Sequence, residues 1–240
     1  MTEELVQYEL ADGVATIRID DGKRNALGPP VQAAIYKALD RAERDKAIVI
    51  LTGRESVFSA GFDLKVLRGA PKPALTMLRG GYRMTARVLA YPYPVFVACN
   101  GHSMAMGVFL MLAADHVIGS RGDFKIAANE IAMGLTMPRV AAAMLEHRLA
   151  AGAYQRAVTL SAEFDPESAL EAGFFDELVD PADLEARARE LALASKTLGM
   201  EAHRKSKRRI RRKLIRRIRW SIPLDLIDAM LLGLKAAKSR

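Results

Sequence analysis

Short runs of consecutive apolar residues alternate along this chain with segments of helical period. That alternation restricts the fold to an α/β core with substantially parallel strand pairing. Residues 6–10 and 14–19, joined across Ala11-Asp12-Gly13, read as a β-hairpin with a glycine-containing turn. Pro29-Pro30 stand where a helix can begin, and Val31, Ala34, Ile35, Ala38, Leu39 and Ala42 then recur at helical spacing. Residues 47–51 and 95–98 read as buried strands, with a helix over 75–89 between them that ends before Pro92 and Pro94. An almost wholly apolar helix follows over 106–114. Further short strands are expected at 115–119, 124–126 and 175–179, and helices at 139–149, 152–161, 166–172 and from Asp183 onward.

Two small-residue turns punctuate this pattern. Phe58-Ser59-Ala60-Gly61-Phe62-Asp63-Leu64 and Asn100-Gly101-His102-Ser103-Met104-Ala105-Met106-Gly107 each follow a hydrophobic strand, and the second opens the apolar helix. Backbone amides from two such turns can converge on one carbonyl oxygen and stabilise the charge it gains when the neighbouring carbon is deprotonated. Each such donor is worth roughly 3–4 kcal/mol of barrier.

Composition narrows the setting. The one cysteine, Cys99, allows no internal disulfide and no thiolate metal cluster, and in an apolar strand it reads as a small hydrophobe. The start, Met1-Thr2-Glu3-Glu4, lacks the basic and apolar regions of a secretory signal, and no run reaches the about 18 apolar residues of a membrane span. A soluble cytoplasmic protein is the expectation. Net charge is +8, yet residues 204–219 hold eleven Lys or Arg and no acid; without them 25 basic residues face 28 acidic ones, or −3. The basicity therefore belongs to one segment. There Ile210, Leu214 and Ile218 lie four residues apart, with Ile215 and Ile222 on an adjoining track, which predicts a basic amphipathic helix stopped by Pro223. Residues 224–234 are apolar enough to require a packing partner, such as another subunit.

The two turns, the hairpin, Arg24-Asn25-Ala26-Leu27, and Asn129-Glu130 through Pro138, in this order and at these spacings, resemble the crotonase (enoyl-CoA hydratase/isomerase) superfamily. The resemblance implies an α/β spiral of repeated ββα units over residues 1–195, then a helical C-terminal region, 196–240, that supports a homotrimer or a dimer of trimers. It implies acyl-CoA substrates, a place in fatty acid metabolism, no metal, and no cofactor beyond the coenzyme A carried on the substrate. On matching positions the oxyanion amides are Phe62 N–H and Met106 N–H, the latter where many relatives have glycine. Arg24, Ala26, Ala60, Asp63, Leu64, Lys65, Gly107 and Phe109 fall where the family contacts substrate.

Family hydratases carry two glutamates that hold a water molecule. Here one matches Glu130, while the other position is Phe109, which cannot exchange a proton. A lone carboxylate suits the shift of a 3-enoyl-CoA to its 2-enoyl isomer, since one base can remove the C2 proton and return it to C4. A pocket lined by Phe109 should also raise the Glu130 pKa toward neutrality. Hydration of a 2-enoyl-CoA is the nearest alternative, and a non-catalytic protein that binds RNA or membrane is the alternative of another class. Asp63 reads equally as a substrate contact or as the cap of a following helix. His102 reads as structural, and Arg24 and Lys65 read either as solvated charges or as partners of the CoA phosphates. Tyr82 and Arg83 carry no assigned role. For residues 204–219 three uses stand open: a solvated or subunit-packing face, contact with CoA, or contact with a nucleic acid or membrane.

Overall fold

The computed structural model describes residues 4–238, and the side chains of 4–232. The first three residues of the acidic start, the last two of the 196–240 region and the side chains of 233–234 lie outside that description.

The chain opens with β1 (Val6–Ala11) and β2 (Val14–Ile19), antiparallel across a tight Asp12-Gly13 turn. Two sheets then grow in alternation. The strands β3 (Ile48–Thr52), β5 (Val95–Cys99), β7 (His116–Ser120) and β9 (Glu177–Val179) extend the hairpin into a six-stranded sheet of order β1-β2-β3-β5-β7-β9, parallel from β2 onward. The intervening strands β4 (Ser56–Ser59), β6 (Gly101–Met104) and β8 (Ile126–Ala127) form a second, three-stranded parallel sheet. Each repeat thus gives one strand to each sheet before passing into helix, which makes the chain wind as a spiral.

Helices cover both sides of the large sheet. On one face α1 (Pro29–Arg44), α3 (Pro71–Leu89), α4 (Met106–Met111) and α5 (Arg139–Arg148) share a continuous core with Ile17, Val49, Leu51 and Val97. On the other, α8 (Leu184–Ala194) places Leu184, Ala188 and Ala192 against Ile48, Ile50, Phe96 and Ile118. The strict alternation of β3 side chains between these two clusters follows from the period of two along a strand. Short helices α2 (Leu64–Leu67), α6 (Ala151–Leu160) and α7 (Pro166–Ala172) complete the body. A final helix, α9 (Met200–Lys238), packs along α3 and α5.

Several expectations change on contact with the structure. Residues 101–104, read as turn, are strand β6, while α4 stops at Met111 instead of reaching residue 114. Residues 112–114 remain fully buried, and the Arg211 guanidinium donates to the carbonyls of Ala113 (3.3 Å) and Ala114 (2.8 Å). The basic helix does not stop at Pro223. Proline deletes one donor and crowds the carbonyl of residue 219, but Pro223 lies on the exposed side and the apolar track beneath continues to pack. Ile210 is not on that track; it is 75% exposed, and the inward face runs through Lys207, Arg211, Ile215, Ile218, Ile222 and Asp225. The two buried cations lie on Asp115: Lys207 Nζ at 2.5 Å and Arg211 Nη1 at 3.1 Å. No described helix is long and apolar enough to cross a membrane.

Candidate active site

Three segments of interest leave the same edge of the small sheet. β4 runs into Ala60-Gly61-Phe62, β6 into Ala105-Met106, and β8 into Asn129-Glu130. Because the strands are parallel neighbours in the order β4-β6-β8, their C-terminal ends emerge side by side, and the three segments are brought together by topology alone.

The first turn is laced to the segment that precedes α1. Ala60 N–H donates to the carbonyl of Arg24 (2.9 Å) and Leu27 N–H to that of Gly61 (2.7 Å), with Ala26 bridging to Gly61. Ser59 Oγ donates to the carbonyl of Asn25 (2.8 Å) and accepts from Gly61 N–H (3.1 Å). The buried Asn25 amide donates to the carbonyls of Ile19, Val57 and Phe58. Gly61 has φ +84°, and a Cβ there would stand 2.8 Å from the Met104 carbonyl oxygen and 3.2 Å from Met106 N. Only glycine satisfies both the dihedral and the contact.

The second turn is tied to the first by the same approach. Ala105 N–H donates to Ala127 (2.8 Å), and Ala105 itself sits at φ 47°, ψ −120°, a region costing an L-residue about 1–3 kcal/mol. The strain thus falls on Ala105, and Met106 opens α4. A Cβ at Gly107 would lie 2.7 Å from the Ser59 carbonyl oxygen, so this glycine lets α4 close onto the first turn. Among the described residues neither Phe62 N–H nor Met106 N–H has a backbone acceptor. Phe109, three residues into α4, is 1% exposed.

Glu130 follows β8 in a backbone turn. Its carbonyl accepts from Met133 N–H (3.1 Å) and Leu135 N–H (2.9 Å), and Gly134 takes φ +75° to close the loop. Only 6% of the residue is exposed, and Oε2 has no hydrogen-bond partner among the described residues. Burial pushes its carboxyl up to about 7 against a weaker opposing pull from its own backbone N–H; no neighbouring charge contributes. The glutamate matched from sequence to the family's base is therefore a buried carboxyl with a raised pKa, at the end of the strand next to the one that leads into Met106.

The remaining residues separate into near and peripheral. Asp63 caps α2, accepting from Lys65 N–H (2.8 Å) and Val66 N–H (3.4 Å), the capping reading of the two. Leu64, Lys65 and Arg24 are exposed at the rim, and neither cation has an ion pair among the described residues. His102 accepts Lys125 N–H on Nδ1 (3.0 Å) and packs against Phe124. Cys99 is buried, its thiol pushed up to about 12.

Three residues without an assigned role prove central. Tyr82, 3% exposed, packs edge-on to Phe62 (centroids 5.8 Å); burial first, then the charges of Asp225 and Glu130, raise its pKa. Gly81 faces both Phe62 and Met106. Asp225 of α9 accepts Arg139 N–H (3.0 Å) and Val140 N–H (2.9 Å), capping α5 at the end of the Glu130 loop. In the sequence Asp225 is one of two acids, with Asp228, in a mainly apolar stretch after Pro223, and nothing local marks it as a cap.

Comparison with known proteins places this architecture. The enoyl-CoA hydratase/isomerase family profile matches residues 9–220. The chain is 36% identical to a probable enoyl-CoA hydratase, EchA17, of Mycobacterium avium over 177 residues, covering 72% of this chain and 68% of that protein. It superposes on an enoyl-CoA hydratase/isomerase family protein from a Pseudomonas species with a TM-score of 0.91 at 40% identity, covering 92% and 96% of the two chains. On an Mtb enoyl-CoA isomerase the TM-score is 0.89 at 42% identity, covering 93% and 98%. The chain belongs to the enoyl-CoA hydratase/isomerase family, with the crotonase fold and its helical C-terminal region. Relatives carry both hydratase and isomerase names, so the family assignment makes this an enzyme of one of those two kinds.

Proposed function

We propose that this enzyme is a cytoplasmic enoyl-CoA isomerase that moves a 3-enoyl-CoA double bond to the 2-position. The observation that carries the reading is the lone buried Glu130, with Phe109 where a hydratase would hold its second carboxylate. Ionised Glu130 takes a proton from C2, and the electron pair passes into the thioester carbonyl. The oxygen anion of the dienolate is held by Phe62 N–H and Met106 N–H. Glu130 then returns its proton to C4 as the electrons shift to make the C2–C3 double bond, which restores the base. One group serves both steps because each consumes what the other produces. Coenzyme A enters as part of the substrate, with Arg24 and Lys65 at the rim available to its phosphates.

Glu130→Gln keeps the shape and removes the base. Isomerisation should fall by about 10²–10⁴-fold with CoA binding retained; full activity overturns the reading. Hydration remains the second reading because the Mycobacterium avium relative bears that name. A panel of 2-enoyl- and 3-enoyl-CoAs separates the two. Phe109→Glu should create or enhance hydration, and hydration left unchanged or absent would contradict the role given to Phe109.

A further inference from the structure

Helix α9 has two opposite faces of different chemistry. Residues advance by about 100° around a helix axis, so Arg209, Lys213, Arg216, Trp220, Leu224 and Ile227 fall within roughly 80° of arc. The track through Lys207, Arg211, Ile215, Ile218, Ile222 and Asp225 lies diametrically across and is buried against the body. The first face points outward: its three cations are exposed, Trp220 is 74% exposed, Leu224 48% and Ile227 49%. It spans about 27 Å along the axis.

The charges on this face are uncommitted. Of the eleven cations in residues 204–219, Arg204 and Lys205 pair with Glu201, Lys207 and Arg211 with Asp115, and Arg217 with Glu146. Arg209, Lys213 and Arg216 have no ion pair among the described residues, and neither do Arg208, Arg212 and Arg219 on the flank. Outside residues 204–219 the chain carries 25 basic and 28 acidic residues, so the net positive charge of the whole comes from this helix.

We propose that this outward face docks on an anionic phospholipid surface. Arg209, Lys213 and Arg216 meet the phosphates, Trp220 sits at the interface, and Leu224 and Ile227 enter the acyl boundary. The helix lies on the bilayer and does not cross it. Charge complementarity selects this occupant over the same face of a second copy. Two copies packed with these helices parallel would set three cations against three cations, and packed antiparallel would bury the cations against Trp220, Leu224 and Ile227. A bilayer edge satisfies both halves at once. RNA would use the cations and leave the apolar half wet.

Trp220 is the chain's one tryptophan, so its emission reports on the docking face itself. The full chain is titrated with vesicles of phosphatidylcholine alone or mixed with phosphatidylglycerol, following Trp220 emission and co-sedimentation. Binding and a blue shift are expected with the mixed vesicles, weakened by salt, and absent with phosphatidylcholine alone. The triple variant Arg209→Gln, Lys213→Gln, Arg216→Gln should bind mixed vesicles on the order of a hundredfold more weakly, since each cation near such a surface is worth about fivefold. Its isomerase or hydratase turnover in vesicle-free buffer should match wild type, which also shows that it folds. Three results overturn the proposal: no binding to mixed vesicles; a blue shift that grows with protein concentration without vesicles, alongside a larger species in sedimentation velocity; or binding to single-stranded RNA without binding to mixed vesicles.

Discussion

Gly81 offers a sharp test of how the two oxyanion turns are held. A Cβ at this position of α3 would stand 2.4 and 2.6 Å from ring carbons of Phe62 and 3.3 Å from Met106 Sδ. Carbon atoms rest at about 3.5–4.0 Å, so Gly81→Ala requires a displacement of about 1 Å. The Phe62 ring is backed edge-on by Tyr82, which limits its escape and passes the shift to the backbone that carries the N–H. Stability and activity should then part company. Alanine gains about 1 kcal/mol of helix propensity over glycine, and overpacking costs about 1–3 kcal/mol, so the melting temperature should fall only modestly. Misplacing a catalytic donor by about 1 Å costs about 10²-fold in rate, so kcat should drop by that order with KM little changed. Gly80→Ala is the contrast. Its Cβ would lie 2.2 Å from Gln32 Oε1, and moving that side chain breaks the bonds its amide makes to the carbonyls of Leu27 and Met77. That variant should lose about 2 kcal/mol of stability and keep its kcat. Steady-state kinetics on the preferred enoyl-CoA, beside thermal melts, read both. Wild-type kcat in Gly81→Ala would show that the ring swings aside freely and that α3 does not position the turns.

Two further outcomes follow from burial of charge. Glu130 works as a base only when ionised, and its carboxyl is held up at about 7, so kcat/KM should rise through that pH and level above it; a plateau already reached by pH 5 would contradict this. The raised pKa stabilises the fold fully below the unfolded value and the benefit is lost as pH rises through about 7; denaturant melts should therefore show Glu130→Gln gaining on wild type, by on the order of 3 kcal/mol, between about pH 4.5 and 7. Asp115→Asn strips the counter-charge from buried Lys207 and Arg211, and urea unfolding should register a loss of about 3–5 kcal/mol, with an effect under about 1 kcal/mol refuting the buried cluster.

What could be read from sequence was what local pattern encodes. The hairpin declares itself by alternation and its turn, α1 by Pro29-Pro30 and its apolar spacing, and the two oxyanion turns by small residues after apolar strands. The division of strands between two sheets was not legible, because Gly101-His102-Ser103-Met104 has no periodicity and β8 has two residues. Their strand character comes from partners brought by the spiral. The inward face of α9 was misread for a related reason: Lys207 and Arg211 look like surface residues until Asp115, about ninety positions earlier, supplies their charge. The continuation through Pro223 likewise depends on packing beneath it. Asp225 caps a helix that begins 86 residues away, which no local signal encodes.

These non-local supports explain how the site can hold unfavourable groups. Glu130 is a buried carboxyl whose Oε2 has no partner among the described residues, Ala105 sits in strained dihedrals, and two amides lack backbone acceptors among those residues. Each opposes folding, and each lies at the end of a short strand too small to hold it. The compensation comes from elsewhere: three bonds from Asn25, the Gln32 amide on Leu27 and Met77, and Asp225 on α5. Replacing a group that does chemistry should therefore relax the fold, while replacing a group that holds it should weaken the fold first and turnover second. Glu130→Gln and Asp115→Asn stand at the two ends of that ordering. Gly81 lies between them, where backbone packing and catalytic geometry are the same contact.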